Sequence, residues 1–168
     1  MSLPKSVLVT FALALVACVV YGQNQSQVSS SCMGCICEAS SNCNTTLGCS
    51  TPYPGGYFCG AFLISFPYWT DAGKPVLQND DPEKKGAFEN CAIDLYCAAE
   101  TLRRYMKKFS SNHNRADCND DGVIDCVDFA YMHHLGGYGC NDPSIVTTDY
   151  YTKFQTCWNV VNGAQPSG

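Results

Sequence analysis

The sequence predicts a small, disulfide-rich α+β domain in which helices surround a short β-hairpin. Thirteen cysteines occur in 168 residues, and all except Cys18 follow a predicted N-terminal leader, which leaves twelve. The segment Glu89–Ser110 repeats apolar residues at helical spacing, and the aromatic-rich residues 56–68 combine strand-forming with turn-forming residues. Twelve cysteines in so short a chain predict up to six disulfide bridges.

Residues 1–22 are predicted to form a secretory signal peptide. Lys5 gives a positive start, Val7–Val20 is apolar, and Val20-Tyr21-Gly22 suits cleavage. A membrane helix is the alternative, but the apolar run is shorter than the ~20 residues that span a bilayer. We therefore expect a secreted, extracellular protein with no membrane segment in its mature form.

The mature chain is expected to form one domain, because its length suits a single core. A flexible polar leader is predicted at residues 23–31, the folded domain at 32–162 and a tail at 163–168. The full chain has a formal charge of −5, and loss of Lys5, the one charged side chain of the signal peptide, leaves −6. This acidic balance argues against nucleic-acid binding and gives no attraction to anionic cell surfaces.

The mature cysteines are expected to be oxidised in pairs, with the connectivity left open. Cys32, Cys35 and Cys37 could also supply half of a zinc site, but an oxidising compartment favours disulfides. The predicted disulfide cysteines are Cys32, Cys35, Cys37, Cys43, Cys49, Cys59, Cys91, Cys97, Cys118, Cys126, Cys140 and Cys157. Two N-x-[ST] sequons, which begin at Asn24 and Asn44, are candidate glycosylation sites.

The first predicted elements surround the turn-rich part of the chain. A short helix is predicted at Ser31–Ser41, with a cap among Ser29, Ser30 and Ser31. Residues 49–60 are rich in Pro, Gly and Tyr and are predicted to form turns. Ala61–Trp69 is predicted as a strand that Pro67 either limits to an edge or ends.

Three helices are predicted in the second half of the chain. Glu89–Ser110 gives the strongest signal, because its apolar residues fall largely on one face. Asp125–Leu135 follows and is stopped by Gly136-Gly137, and Asp149–Val160 is the last.

The stretch from Cys32 to Pro75 carries two motifs that resemble a known family. It opens with C-M-G-C-I-C-E-A-S-S-N-C and closes with C-G-A-F-L-I-S-F-P-Y-W-T-D-A-G-K-P. These resemble C-x-x-C-I-C-x-x-E-S-x-C and C-G-Y-F-Q-I-x-x-x-Y-W-x-D-C-G-x-P of the invertebrate-type (i-type) lysozymes, or destabilase family. Ala72 and Thr101 stand where relatives have cysteines, which we infer form one bridge there. The resemblance implies a lysozyme-like fold.

The resemblance also implies where catalytic carboxyl groups would lie. Lysozymes use one carboxyl as general acid and a second as nucleophile or stabiliser. The family glutamate position is Ser40 here, and the interval 50–58, where the family aspartate lies, contains no acid. Glu38 is a candidate substitute, but a shift of two residues along a helix turns the side chain to nearly the opposite face.

These differences imply a secreted lysozyme-like protein without standard muramidase activity that binds glycan, such as bacterial cell-wall peptidoglycan. The alternative is an active lysozyme, antibacterial or digestive, or an isopeptidase with displaced catalytic residues. His133 matches a family histidine, and a Ser–His pair is a possible basis for isopeptidase chemistry. Four aromatic residues are candidates either for glycan contacts or for the core, and these are Tyr57, Phe62, Tyr68 and Trp69.

Residues 117–128, D-C-N-D-D-G-V-I-D-C-V-D, resemble an EF-hand loop with Asp instead of Glu at its last ligand position. Gly122 stands at the turn position, and the alternative interpretation is an acidic turn that ends in a helix N-cap. The pattern predicts a Ca²⁺ site whose ligands are Asp117, Asn119, Asp121, the Val123 carbonyl, Asp125 and Asp128.

Overall fold

The computed structural model describes residues 28–53, 56–111 and 116–163. Its elements are, in order, α1 Ser30–Ser41, β1 Cys49–Tyr53, β2 Gly56–Cys59, β3 Ile64–Ser65, α2 Phe66–Asp71, α3 Ala87–Ile93, α4 Leu95–Ser110, α5 Cys126–Leu135, a 3-10 helix Pro143–Thr147, and α6 Asp149–Gly163. The strands form one antiparallel sheet in the order β1-β2-β3. The predicted α+β class is confirmed.

The predicted signal peptide, residues 23–27 of the predicted leader and residues 164–168 of the tail lie outside the described residues. The folded part begins before the predicted domain start at Cys32, since Val28 is buried and α1 starts at Ser30. None of the described helices is long and apolar enough to cross a membrane.

Helix α1 is the centre of the fold. Ser29 caps it, because its hydroxyl accepts a hydrogen bond from the Cys32 amide at 3.1 Å. Its buried positions recur on one side of the helix and are Cys32, Met33, Cys35, Ile36, Cys37 and Ala39. Ile36 is completely buried. The helix packs mainly against α6 and also against α5, so the core forms between the first and the last helices of the domain.

All twelve cysteines predicted to pair do so, in six bridges. Two long-range bridges attach α1 to the C-terminal helices, and a third holds the segment after α4 to the segment after α5. The others are local. The pairs are Cys32–Cys126, Cys35–Cys157, Cys37–Cys43, Cys49–Cys59, Cys91–Cys97 and Cys118–Cys140. This number of bridges is typical of proteins that fold in an oxidising compartment.

The predicted strand at Ala61–Trp69 is wrong over most of its length, and the predicted turn region at 49–60 contains strands β1 and β2. The hairpin predicted within residues 56–68 is confirmed by the antiparallel pairing of β2 with β3. Strands β1 and β2 pair with Cys49 opposite Cys59, where the disulfide joins them. Only Ile64–Ser65 is a strand in the later segment. Ser65 caps α2 by accepting from the Tyr68 amide, and Pro67 fits the first turn of a helix because it needs no amide donor there.

The predicted single helix at Glu89–Ser110 is two helices. Asp94 leaves the helical conformation, with φ −78° and ψ 122°, and its carboxylate accepts from the Cys97 amide at 2.8 Å as the N-cap of α4. The Cys91–Cys97 bridge crosses this break. Helical periodicity continues through the break, so the apolar pattern alone does not reveal it.

The joint between α2 and α4 uses non-covalent contacts at the place where the family pattern has two more cysteines. Ala72 and Thr101 are both buried. Tyr68 stacks on Tyr105 with ring centroids 3.6 Å apart. Close to this stack, the Lys108 ammonium donates to Asp71 at 2.7 Å. An exposed ion pair of this kind contributes at most about 1 kcal/mol, so the aromatic stack carries more of the joint.

The bridges should differ in their effect on stability according to the loop that each one closes. Replacing the Cys32–Cys126 pair by alanines should lower the free energy of unfolding more than replacing Cys37–Cys43, because the sequence separations are 94 and 6 residues. Loop-closure entropy makes the difference roughly 2 kcal/mol. Urea unfolding of the two double variants measures it.

Intact mass spectrometry with a thiol-alkylating reagent provides the control for that comparison. The unreduced, denatured wild-type protein should take up no label, and each double variant should also remain unlabelled. Equal destabilisation of the two variants would contradict the assignment of Cys32–Cys126 as the constraint on the distant ends of the chain.

Candidate functional site

A pocket of roughly 380 Å³ opens beside the C-terminal turn of α1. It lies where α1, β2, the β2–β3 connection, the end of α5 and the start of α6 meet. Both polar and apolar side chains line it, and they are Ala39, Ser40, Phe58, Leu63, His133, His134, Asp149, Tyr150 and Lys153. The sequence singled out Ser40 and His133 separately, and the fold brings them to one site.

Ser40 lies in the last turn of α1, and its hydroxyl has a fixed role there. The hydroxyl oxygen lies 2.8 Å from the Ile36 carbonyl oxygen, one helical turn earlier. A carbonyl oxygen can only accept a hydrogen bond, so the Ser40 hydroxyl is the donor and Ile36 the acceptor. The same hydroxyl oxygen lies 3.2 Å from Nε2 of His133. Because the hydroxyl hydrogen of Ser40 already points to the Ile36 carbonyl, Ser40 can only accept a hydrogen bond from that ring nitrogen.

The surroundings of His133 fix its tautomer. Nε2 lies 2.9 Å from the Phe62 carbonyl oxygen, and Nδ1 lies 3.3 Å from the Tyr68 hydroxyl. A bare Nε2 would face the carbonyl lone pairs without a proton between them, so Nε2 carries the hydrogen and donates to Phe62. Nδ1 then accepts from the Tyr68 hydroxyl.

This tautomer excludes the simplest Ser–His catalytic pair. A histidine base must present an unprotonated nitrogen to the nucleophile's proton, but Ser40 faces the nitrogen that carries hydrogen. A serine triad also orients its histidine with a carboxylate, whereas Tyr68 occupies that place here. The Ser40–His133 contact therefore has the geometry of a structural hydrogen bond.

Burial lowers the pKa of His133 to about 4, and this effect exceeds the opposing effect of its hydrogen bond to the Phe62 carbonyl. His133 is consequently neutral at physiological pH. Burial also lowers the pKa of the adjacent His134, whose ring stacks on Tyr150 at 4.4 Å between centroids. The histidines therefore contribute no positive charge to the pocket at neutral pH.

The pocket contains one carboxylate among its lining residues, and the resemblance did not indicate it. Asp149 lies exposed at the start of α6, with Lys153 one turn further on. The Lys153 ammonium donates to the Asn42 side chain at 3.0 Å. Phe58, one residue of the interval 50–58, lines the same pocket. Neither Ser40 nor Phe58 supplies an acid.

Glu38 does not join Ser40. It is exposed and lines a second, apolar groove between α1 and α6. This groove shares Lys153 with the Ser40 pocket and also includes Thr152, Cys157 and Val160. Two positions along α1 have turned its side chain away from the Ser40 pocket, as expected from helical geometry.

The four aromatic candidates do not line the pocket. Phe62, Tyr68 and Trp69 are buried in the core, while Tyr57 is 45% exposed. Phe62 and Tyr68 serve the site indirectly, through a carbonyl and a hydroxyl that hold His133. Trp69 donates its indole N–H to the Pro75 carbonyl at 2.7 Å, which satisfies the polar atom of a fully buried ring.

The acidic loop forms a closed set of internal hydrogen bonds. Asp117 accepts from the amides of Asp121 and Gly122. Asp128 is completely buried, and its two carboxylate oxygens accept from the amides of Cys118 and Asp125 at 2.7 Å each. Asp128 and Asp125 together make the capping box of α5.

In the described fold Asp128 thus serves as part of the cap of α5, with one amide donor on each carboxylate oxygen. Within the described ranges, no three His, Cys, Asp or Glu side chains are grouped in a way that would hold a metal ion. Asp117, Asn119 and Asp121 lie at the loop tip. Calcium binding at residues 117–128 stays a prediction.

Sequence reasoning missed the contribution of α6 to the pocket. Asp149, Tyr150 and Lys153 follow helical spacing, which indicates a shared face but not what that face meets. The Cys35–Cys157 bridge brings α6 against α1. Knowledge of that pairing would have indicated that the start of α6 lies near Ser40.

The fold and the pocket define a lysozyme-like domain, with helices around a small antiparallel sheet and a pocket over the last turn of the first helix. The model of the Destabilase family matches residues 29–157. The chain therefore belongs to the destabilase family.

Several lysozymes are similar to this chain. It is 33% identical over 129 residues to a lysozyme of Magallana gigas, a match that covers 77% of this chain and 80% of that one. It is 30% identical to invertebrate-type lysozyme 3 of Caenorhabditis elegans, over 77% and 86% of the two chains. These relatives support the lysozyme-like class that the fold indicates.

Two solved structures resemble the fold. The inhibitor-bound lysozyme from Meretrix lusoria gives a TM-score of 0.59 at 31% identity and covers 77% of this chain and 89% of that chain. The Tapes japonica lysozyme gives 0.54 at 27% identity and covers 83% and 92%. The Meretrix lusoria enzyme has also been crystallised in complex with PliI of Aeromonas hydrophila.

The depressed pKa of His133 should make the protein less stable in mild acid. The unfolded imidazole gains a proton near pH 6.5, whereas the folded one remains neutral down to about pH 4. The unfolded state thus binds more protons between these values, and the free energy of unfolding should rise with pH across the window, by about 3 kcal/mol at most. Urea unfolding from pH 4 to 7 measures the slope.

His133→Gln should flatten that slope, while His134→Gln should retain the part that belongs to His133. An NMR titration of the imidazole resonances identifies the residue directly. A His133 ring that titrates near pH 6.5 in the folded protein would contradict the buried, neutral assignment.

If the acidic loop binds calcium, millimolar Ca²⁺ should raise the melting temperature relative to chelator, because the ion binds the folded state. Asp121→Ala should remove this difference, since it deletes an oxygen donor at the loop tip. Asp128→Asn is the matched comparison and should lower the melting temperature in both conditions, because it weakens a buried cap. Identical melting curves of the wild type with calcium and with chelator would leave only the acidic turn.

Proposed function

We propose that this chain is a secreted lysozyme-like protein that binds glycan, such as peptidoglycan of bacterial cell walls, without standard muramidase activity. The observation that carries the proposal is the state of Ser40. It stands at the family's catalytic glutamate position, and its hydroxyl donates a hydrogen bond to the Ile36 carbonyl. A hydroxyl in that position cannot act as the general acid that protonates a leaving sugar oxygen at neutral pH.

The pocket retains features that suit a sugar. Ser40, His134 and Lys153 offer polar groups, while Phe58 and Leu63 supply apolar surface. Sites for small ligands combine such apolar walls with a few polar groups that fix orientation. This combination supports glycan binding in the pocket.

Secretion is part of the same proposal. The predicted signal peptide at residues 1–22 supports it, and so do the six bridges of the described fold. The acidic mature chain gains no electrostatic attraction to an anionic cell wall. Binding would therefore depend on short-range contacts in the pocket and should not weaken as salt increases.

The alternative is an active enzyme with displaced catalytic residues, and Asp149 is the residue that favours it. Its carboxylate lines the Ser40 pocket. It is exposed, however, and a general acid needs an environment that keeps its proton at neutral pH. The isopeptidase version requires His133 to take a proton at Nε2, the nitrogen that donates to Phe62.

Purified protein should not clear a suspension of peptidoglycan above background, because no acid occupies the Ser40 position. Turbidity measurements beside an active lysozyme provide the scale. Clearance that disappears in Asp149→Asn would identify a displaced carboxylate and contradict the proposal. Glu38→Gln serves as the matched control, because Glu38 lies in a different groove.

The same protein should sediment with insoluble peptidoglycan. Lys153→Ala should weaken retention roughly tenfold, because one charge-assisted hydrogen bond is worth about 1.4 kcal/mol or more. Lys107→Ala makes the same charge change at an exposed position of α4 and should leave retention unchanged. Absence of retention in the wild type would refute glycan binding, whatever the clearing assay gives.

A further inference from the structure

The turn between α1 and β1 presents the second sequon of the chain at the surface. Asn44, Thr45 and Thr46 are all exposed. The glycan-binding proposal makes no use of this segment. A sequon accepts an oligosaccharide productively only where the folded chain leaves room for a bulky, solvated group, and the exposure of these three residues meets that requirement.

The side chain of Asn44 presents its two polar atoms differently. Its Oδ1 accepts hydrogen bonds from the Thr46 amide at 3.0 Å and from the Thr46 hydroxyl at 2.8 Å. Its Nδ2 donates to no other residue in the described part of the chain. A substituent on Nδ2 would therefore displace no hydrogen bond of the described fold.

The turn is also fixed at both ends. The Cys37–Cys43 bridge precedes Asn44, and Cys49 begins the bridged hairpin. Ser41 accepts from the Asn44 amide at 3.1 Å and donates to the Ala61 carbonyl at 2.6 Å. The sequon is thus held outward from the core by a framework that does not use the Asn44 side-chain nitrogen.

We propose that Asn44 carries an N-linked oligosaccharide. The donor would be an oligosaccharide attached to a lipid diphosphate in the secretory compartment. The Asn44 Nδ2 forms a bond to the anomeric carbon, the bond from that carbon to the phosphate oxygen breaks, and the lipid diphosphate leaves. The amide nitrogen gives up one proton, and no oxidation or reduction takes place. The inference rests on the secretion that forms part of the proposed function.

The glycan would lie beside the candidate pocket. Asn42, two residues before the sequon, accepts a hydrogen bond from Lys153, which lines the pocket. Asn44 itself does not line the pocket. Glycosylation would accordingly cover the surface at the α1–β1 turn and leave Ser40 and His133 unaltered.

The test uses the full chain expressed in eukaryotic cells with Asn24→Gln, so that one sequon remains. Intact mass spectrometry of the secreted protein should show a glycan that peptide N-glycosidase removes, and peptide mapping should locate it at Asn44. Adding Asn44→Gln or Thr46→Ala should abolish the glycan. Thr46→Ser is the matched control and should retain it, because a serine preserves the sequon.

A second version, in which a host signal peptide replaces residues 1–22, separates the two proposals. A glycan at Asn44 in that version, with retention of the native version inside cells, would support the modification and refute secretion by the chain's own leader. An unmodified Asn44 in both the medium and the cell-associated fraction of the host-signal version would overturn the inference, while peptidoglycan retention would remain a separate measurement.

Discussion

The fold depends on covalent attachment of α1 to the two helices at the other end of the domain. The Cys32–Cys126 and Cys35–Cys157 bridges connect positions 94 and 122 residues apart, so they constrain the unfolded chain strongly. A domain of this size with short strands has a limited core. With α1 fixed against α5 and α6, the small sheet needs only the local Cys49–Cys59 bridge, and the acidic loop is held by the cap of α5 and the Cys118–Cys140 bridge. The pocket forms where these three helices meet the sheet.

The same constraint explains the state of the candidate site. Attachment of α1 to α5 brings the Ser40 hydroxyl within 3.2 Å of His133. Hydrogen bonds to backbone carbonyls then determine which of the two side chains is the donor. The Ser40 hydroxyl donates a hydrogen bond to the Ile36 carbonyl, and Nε2 of His133 donates one to the Phe62 carbonyl. Two polar side chains that could form a catalytic pair thus hydrogen-bond to backbone carbonyls in a partly buried setting. In this destabilase-family chain, the Ser40–His133 contact is therefore part of a network of hydrogen bonds to the backbone.

The sequence predicted the class of fold, the paired cysteines and most ends of the four helices that it indicated, because these depend on local patterns. Asp125 and Ser29 are local caps that act within one turn. The sequence failed where tertiary context decides: Pro67 serves a helix instead of ending a strand, and Asp94 interrupts a periodic apolar face. The sequence indicated only some of the residues that line the pocket. Ser40 followed from the motif frame, whereas Asp149 reaches the site through the packing of α6 on α1 and the Cys35–Cys157 bridge, which cysteine spacing leaves open.

His133 holds hydrogen on Nε2 and therefore cannot take a proton from Ser40. Long-range ¹H–¹⁵N NMR of the imidazole at pH 7 distinguishes the two neutral tautomers from the imidazolium. We expect one tautomer, with a protonated Nε2 and a bare Nδ1 that accepts from Tyr68. A bare Nε2 facing Ser40, or a charged ring, would contradict this expectation and return the Ser40–His133 pair to the list of possible catalytic groups.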